Sequence, residues 1–129
     1  MPSNFREPSH STIEMLAARP RWQGRLAPKL RPPPVTAPGD YFHWLRPHAS
    51  ALDIWTTEYL QVLAATGDEH PVAAFTRGSW LPQFLEALDP QDEGPFVAEY
   101  SALLAQAYPR ESDGRVLFPF RRLFIVAKR

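Results

Sequence analysis

Apolar positions change period several times along this chain, and each change marks an element. Residues 10 to 19 place Ile13, Leu16 and Ala17 at helical spacing behind Ser11 or Thr12 as an N-cap, with Pro20 ending the run. From Pro20 to Gly39, Pro28, Pro32, Pro33, Pro34 and Pro38 stand among Arg and Lys. That stretch predicts an extended or irregular chain, either a surface linker or a polyproline segment for a partner. Asp40 then caps a helix to about Leu45, with Tyr41, Phe42 and Leu45 on one face. Ala51 to Leu63, "ALDIWTTEYLQVL", is rich in β-branched and aromatic residues and free of Gly and Pro, which predicts a strand.

Thr66-Gly67-Asp68-Glu69 breaks the strand, and Pro71 opens a helix with Val72 and Phe75 inward and Gly78 as its stop. Leu81, Phe84, Leu85 and Leu88 predict a second short helix. Asp89-Pro90-Gln91-Asp92 is an N-terminal helix signal, followed by one apolar stripe of Phe96, Val97, Tyr100, Leu103, Leu104 and Ala107 up to Pro109. Ser112-Asp113-Gly114 turns the chain into "RVLFPFRRLFIVAKR", a strand pair or one strand interrupted near Pro119. Leu123 to Ala127 is apolar without alternation, the pattern of a strand inside a sheet and covered on both faces. Two strands alone are marginal in water, so the pattern implies a missing pairing partner.

Composition narrows the function classes. With 44% apolar and 22% charged residues the 129-residue chain is globular in character, enough for one core. Its 14 basic and 14 acidic side chains cancel, which removes any global electrostatic case for nucleic acid or an anionic membrane. The absence of cysteine excludes disulfides, thiolate zinc and a Cys nucleophile, and fits a cytoplasmic location. The six glycines are never clustered, so no phosphate-cradling loop exists.

Other chemistry is equally sparse. His43 and His48 straddle Pro47 and cannot share a helical face as a zinc pair would. Ser79 lacks the second glycine of a nucleophile elbow and reads as a helix stop. Asp89, Asp92 and Glu93 read as capping charge before they read as an acid and base pair. The four tryptophans read as core or interface aromatics rather than a ligand cage. Arg121-Arg122 and Lys128-Arg129 could grip carboxylates by bidentate hydrogen bonds or flank a strand as solvated charge.

Several stretches together resemble the C-terminal half of trans-aconitate 2-methyltransferases: "MPSNFREPSH", "LDIWTTEY", the Arg77-Gly78-Ser79 turn with its leucine helix, "AEYSALLAQAYP" and "GRVLFPFRRLFIVAKR". The resemblance implies an α/β fold: the C-terminal half of a class I methyltransferase (Rossmann-like) sheet, with strands 6 and 7 and cap helices, without the cofactor-binding half. Residues 1–129 are then one partial domain: a post-strand-5 loop and helix over 1–19, a Pro-rich linker over 20–39, and strand 6, cap and strand 7 over 40–129. Met1 is expected to be an internal position read as a start. S-adenosylmethionine is implied by the family, although these residues alone are not expected to bind it. The implied substrate is a small tricarboxylate, methylated on a carboxylate.

Ligands of open α/β sheets sit at the carboxyl ends of the parallel strands. That rule nominates Asn4, Ser9 and His10 after strand 5, Tyr59 and Gln61 near the end of strand 6, and Arg121 and Arg122 at the start of strand 7 on one rim. Tyr59 either orients substrate or packs as a strand aromatic. Trp80 stands where the family usually has a small glycine. The expected partners are a complementary N-terminal half, or a second copy through the open strand edge, with no nucleic acid and no membrane. The rival reading is a non-catalytic α+β interaction module that binds a partner protein or a small carboxylate.

Overall fold

Proline begins every α-helix of this protein. The computed structural model describes residues 1–129, and its helices are α1 (Pro8–Ala17), α2 (Pro20–Leu26), α3 (Pro38–Leu45), α4 (Pro71–Thr76), α5 (Pro82–Leu85) and α6 (Pro90–Ala107). A first-turn N–H has no intrahelical acceptor, so proline loses nothing there, and its fixed φ presets the helical bend. Proline therefore works in this chain as a start signal.

Three expectations change for that reason. α1 starts at Pro8, ahead of Ser11, and its N-cap Glu7 supplies no side-chain bond. Thr12 instead points inward and donates to the Pro8 carbonyl. The stretch from Pro20, expected to be extended or irregular, is helical through Leu26 and continues as a 3-10 turn over Ala27–Lys29. Trp22 and Leu26, spaced i and i+4, are 1% and 0% exposed, so this segment supplies part of the core. α3 starts at Pro38, and Asp40 sits in its first turn, accepting from the Thr36 hydroxyl rather than capping.

α4 begins where Pro71 predicts, capped by an imidazole. His70 Nδ1 accepts from the Val72 N–H at 3.1 Å, and its Nε2 lies 2.9 Å from the Tyr108 carbonyl oxygen. That geometry uses a neutral ring with its proton on Nε2. Val72 is buried as expected, but Phe75 is 37% exposed, and Ala73 and Thr76 fill the inner positions. Phe75 leans instead on the sheet, with ring centroids 5.3 Å from Phe118 and 5.9 Å from Phe120. Along α6 the inward residues are Phe96, Val97, Tyr100 and Leu104, and Ala107 lies outside the stripe.

The sheet is one antiparallel pair, β1 (Ala51–Leu63) and β2 (Val116–Lys128), registered from Ala51↔Lys128 to Leu63↔Val116. Before it, Gly114 takes φ +85°, a left-handed turn that side chains disfavour. β2 runs unbroken through Pro119, against the expected interruption. The Arg121 N–H donates away from β1 to Asn4 Oδ1 at 2.8 Å, and the Leu123 N–H to the Met1 carbonyl at 2.8 Å. By the two-residue period the Pro119 nitrogen points the same way, so the β1–β2 ladder loses no bond.

Those bonds give β2 a second neighbour. Pro2 bridges Arg122, the Ser3 N–H donates to the Arg121 carbonyl at 2.9 Å, and the Met1 ammonium donates to the Leu123 carbonyl at 2.7 Å. β2 thus lies between β1 and residues 1–4 at Arg121–Leu123, whereas the apolar run Leu123–Ala127 predicts an inner strand along its whole length. Burial does not follow that prediction. Within Leu123–Ala127 only Leu123 is buried, and Phe124 stacks on the exposed Trp55 at 5.2 Å.

The core lies at the other end of the strands. Val116, Phe118 and Phe120 close against Ile13, Leu16, Phe84, Phe96, Tyr100 and Leu104. Tyr100 fastens two layers by donating its hydroxyl to the Ser9 carbonyl at 2.6 Å. No helix is long and apolar enough to cross a membrane.

Candidate functional site

Directly opposed residues of an antiparallel pair share a face. Phe118, Phe120 and Arg122 of β2 therefore face the same way as Gln61, Tyr59 and Thr57 of β1. Phe118 and Phe120 sink into the core, and Arg122 stands at the edge where the helices end. A pocket of about 410 Å³ opens there. Its walls are Phe5 from the N-terminal segment, Phe75 and Trp80 from the end of α4 and the turn after it, and Phe118 and Phe120 from β2. Pro34 of the Pro-rich segment closes one side, and Asn4, His10, Thr76, Ser79 and Arg122 supply the polar lining.

Arg122 is the charged residue of this lining, and no carboxylate lies within ion-pair distance of it. Its Nε donates to the Tyr59 hydroxyl at 3.0 Å, and its guanidinium carbon sits 5.1 Å over the Phe120 ring. The Arg122 hydrogen bond pulls the Tyr59 phenol below its ordinary value. Gln61 Nε2 reaches the same hydroxyl at 3.4 Å. Tyr59 thus holds the arginine by one corner of its fork, with Gln61 donating to the same hydroxyl, and the terminal guanidinium nitrogens stay unengaged.

Two side-chain donors in the pocket-lining residues lack acceptors. Asn4 is 3% exposed, its Oδ1 is committed to the Arg121 N–H, and its Nδ2 has no partner. The Trp80 indole Nε1 is likewise buried and unpartnered. An orphaned buried donor costs about 1–3 kcal/mol. Both residues contribute to the pocket wall, but the two orphaned nitrogens themselves are enclosed in it and turned away from the open space.

His10 completes the polar side. Its ring packs 5.0 Å from Phe5 and 5.0 Å from Trp80, and its Nδ1 is 2.9 Å from Ser9 Oγ. Burial pushes its pKa down to about 4, so the ring is neutral near pH 7. Ser9 itself is fully buried, its N–H donating to the Tyr108 hydroxyl at 3.3 Å, and so it fixes His10 from behind instead of lining the pocket.

Burial lowers His70 as well, which gives a pH prediction. Both histidines take up protons more readily when the chain is unfolded. Stability is therefore full above about pH 6.5 and lost as pH falls toward the lowered values. Thermal melts followed by circular dichroism should show a midpoint that is flat above pH 7 and drops between about pH 6.5 and 5, above the carboxylate range. A midpoint that stays level or rises over that interval contradicts the assignment.

Arg121 departs from the nominated group. Adjacent strand residues point to opposite faces, so Arg121 and Arg122 cannot share one rim. Arg121 pairs with Glu58 at 3.1 Å and Glu7 at 3.4 Å on the reverse side. The structure thus gathers Asn4, His10 and Arg122 in the lining, with Ser9, Tyr59 and Gln61 bonded behind them. Phe75, Trp80 and Pro34 also line the pocket but were not among the nominated site residues. Trp80 carried a signal, a large aromatic directly after Gly78-Ser79, where the chain turns too sharply to bury it in a helix face.

The residues present do not fit an adenosyl sulfonium cofactor. No glycine-rich turn follows a strand, and no carboxylate lines the pocket to meet a ribose.

Comparison with known proteins gives a consistent set of relatives. A protein of Methylobacterium nodulans named trans-aconitate 2-methyltransferase is 39% identical over 130 residues, covering all of this chain and 49% of its own length. One of the same name from an Azoarcus species is 41% identical, again over all of this chain and 49% of the relative. A third, from Agrobacterium fabrum, is 34% identical over 98% of this chain and 49% of the relative. The chain spans about half the length of the curated relatives it matches. No family model matches it.

Proposed function

We propose, from the premise that this chain belongs by sequence to the trans-aconitate 2-methyltransferase family, that its pocket is the substrate side of a carboxyl methyltransferase. The observation that carries this reading is the free end of the Arg122 fork, which lines the chamber, is bonded only through its Nε to Tyr59, and has no carboxylate partner. A guanidinium only donates, and a carboxylate is an acceptor-only group.

Methyl transfer to a carboxylate asks little of the protein beyond placement. The oxygen is already ionised near neutral pH and attacks in line, so no general base is needed. Arg122 would hold the carboxylate, and neutral His10 would fill the wall without adding a second charge. The position of antiparallel β2 beside both β1 and residues 1–4 supports reading residues 1–4 as the end of strand 5, β1 as strand 6 and β2 as strand 7. On that mapping this chain corresponds to the C-terminal half of the relatives, and the methyl donor is met by residues outside these 129. The 129 residues alone are then a binding scaffold and form no ester.

Two measurements on the isolated chain test this. Titration with a carboxylate should shift the Trp80 indole N–H resonance, and the matching carboxamide should shift it far less. Labelled S-adenosylmethionine with trans-aconitate should give no methyl ester. Equal shifts from acid and amide would remove the carboxylate reading, and ester formation would remove the division of labour.

A further inference from the structure

We propose that Tyr59 is the positioning residue of the carboxylate clamp, its hydroxyl turning the Arg122 fork end-on toward the substrate; this rests on the reading that the pocket is the substrate site. The strand register supplies the reason. Thr57 stands directly across from Arg122, and Tyr59 stands across from Phe120. Arg122 does not bond straight across the ladder. It leans diagonally, toward the end where Phe118 and Phe120 enter the core, and donates from Nε to the Tyr59 hydroxyl at 3.0 Å. Diagonal neighbours on one sheet face are about 7–8 Å apart, a gap that an arginine and a tyrosine can close. On an open strand face a flexible arginine stem has no such direction of its own and extends into water.

The atom that Tyr59 engages decides what the fork can do. A guanidinium meets a carboxylate side-on, through Nε and one terminal nitrogen, or end-on, through both terminal nitrogens. With Nε committed to Tyr59 the side-on mode is closed and the end-on mode is left. The guanidinium carbon, 5.1 Å over the Phe120 ring, gives the plane a second point of support. Tyr59 is itself held from two sides: its ring packs 5.8 Å from Phe120, and Gln61 Nε2 reaches its oxygen at 3.4 Å. Tyr59 is not among the residues that line the chamber, so it acts through Arg122.

A double-mutant cycle of Tyr59→Phe and Arg122→Gln tests this on the 129-residue chain, with trans-aconitate as the probe and NMR shifts of the pocket residues as the readout at fixed pH and ionic strength. Phenylalanine keeps the ring against Phe120 and removes only the oxygen. We expect Tyr59→Phe to weaken binding by roughly 3- to 10-fold, the loss of one hydrogen bond, and to have no effect once Arg122 is glutamine. It should also move the Arg122 Nε–H resonance while the thermal midpoint holds. Undiminished binding in Tyr59→Phe, or the same loss in both backgrounds, would overturn the positioning role and leave the substrate site standing. Where Arg122→Gln binds too weakly to titrate, the Nε–H resonance decides, and one that does not move in Tyr59→Phe overturns the role. If trans-aconitate shifts no pocket residue of the unaltered chain, or Arg122→Gln binds it as tightly, the substrate site itself falls and the positioning role with it.

Discussion

An Arg122→Gln variant should lose carboxylate affinity by roughly 10- to 100-fold, the equivalent of the 1.5–3 kcal/mol that a charge-assisted hydrogen bond contributes. Arg121→Gln should leave that affinity unchanged. The contrast follows from the two-residue period of β2, which sends neighbouring guanidiniums to opposite faces, one toward the pocket and one toward Glu58 and Glu7. Glutamine keeps the length and some donor capacity at either position, so a folding defect is an improbable source of any difference. Titration of the two variants with a single carboxylate decides the matter. Equal losses would mean that the strand face does not set the site.

Trp22→Ala carries the largest expected cost in stability, about 3–5 kcal/mol for a fully buried tryptophan. Its ring is 1% exposed and meets Phe96 edge to face at 5.3 Å, and its Nε1 donates to Glu99, which also pairs with Arg19 at 2.9 Å. Truncation opens a cavity between α1, α2 and α6 and releases that carboxylate. A domain this size holds only about 5–15 kcal/mol in all, so urea midpoints should move far. Arg21→Ala is the control: its guanidinium lies over the outer side of the same ring at 4.4 Å, and its loss should cost about 1 kcal/mol or less. A small effect of Trp22→Ala would show that the Pro20–Leu26 segment is not the core element described above.

That segment also shows where the sequence misleads. Pro20 was legible as a boundary, but its sense was reversed. The same residue that cannot continue one helix is favoured at the first position of the next, and only the apolar pair Trp22 and Leu26 reveals which role applies. β1 was legible to its ends because thirteen residues without Gly or Pro leave no other reading. The single β2 strand was hidden, since whether a proline interrupts a strand depends on which edge its nitrogen faces. That is fixed by residues 1–4, far away in sequence.

The site was half legible for a similar reason. Asn4, His10 and Arg122 were nominated from where strands were expected to end, and they come together in one lining. Sequence adjacency suggested an arginine pair that strand geometry forbids. Phe75 read as an inward position of its helix and Trp80 as a core or interface aromatic, because helical spacing alone does not separate a ring that packs inward from one that lines an opening.

The bond from the Leu123 N–H to the Met1 carbonyl, between segments far apart in the chain, has a consequence for how the molecule folds. Helices α1 and α2 can form while the chain is short, but β2 acquires both of its neighbours only when nearly all residues are present. Contacts of such long sequence separation are slow to form, because the entropy of closing a large loop is lost before any bond is gained. The chain should therefore fold in milliseconds or slower, with residues 1–4 docking late. The mouth of the pocket, which those residues frame, would be assembled last.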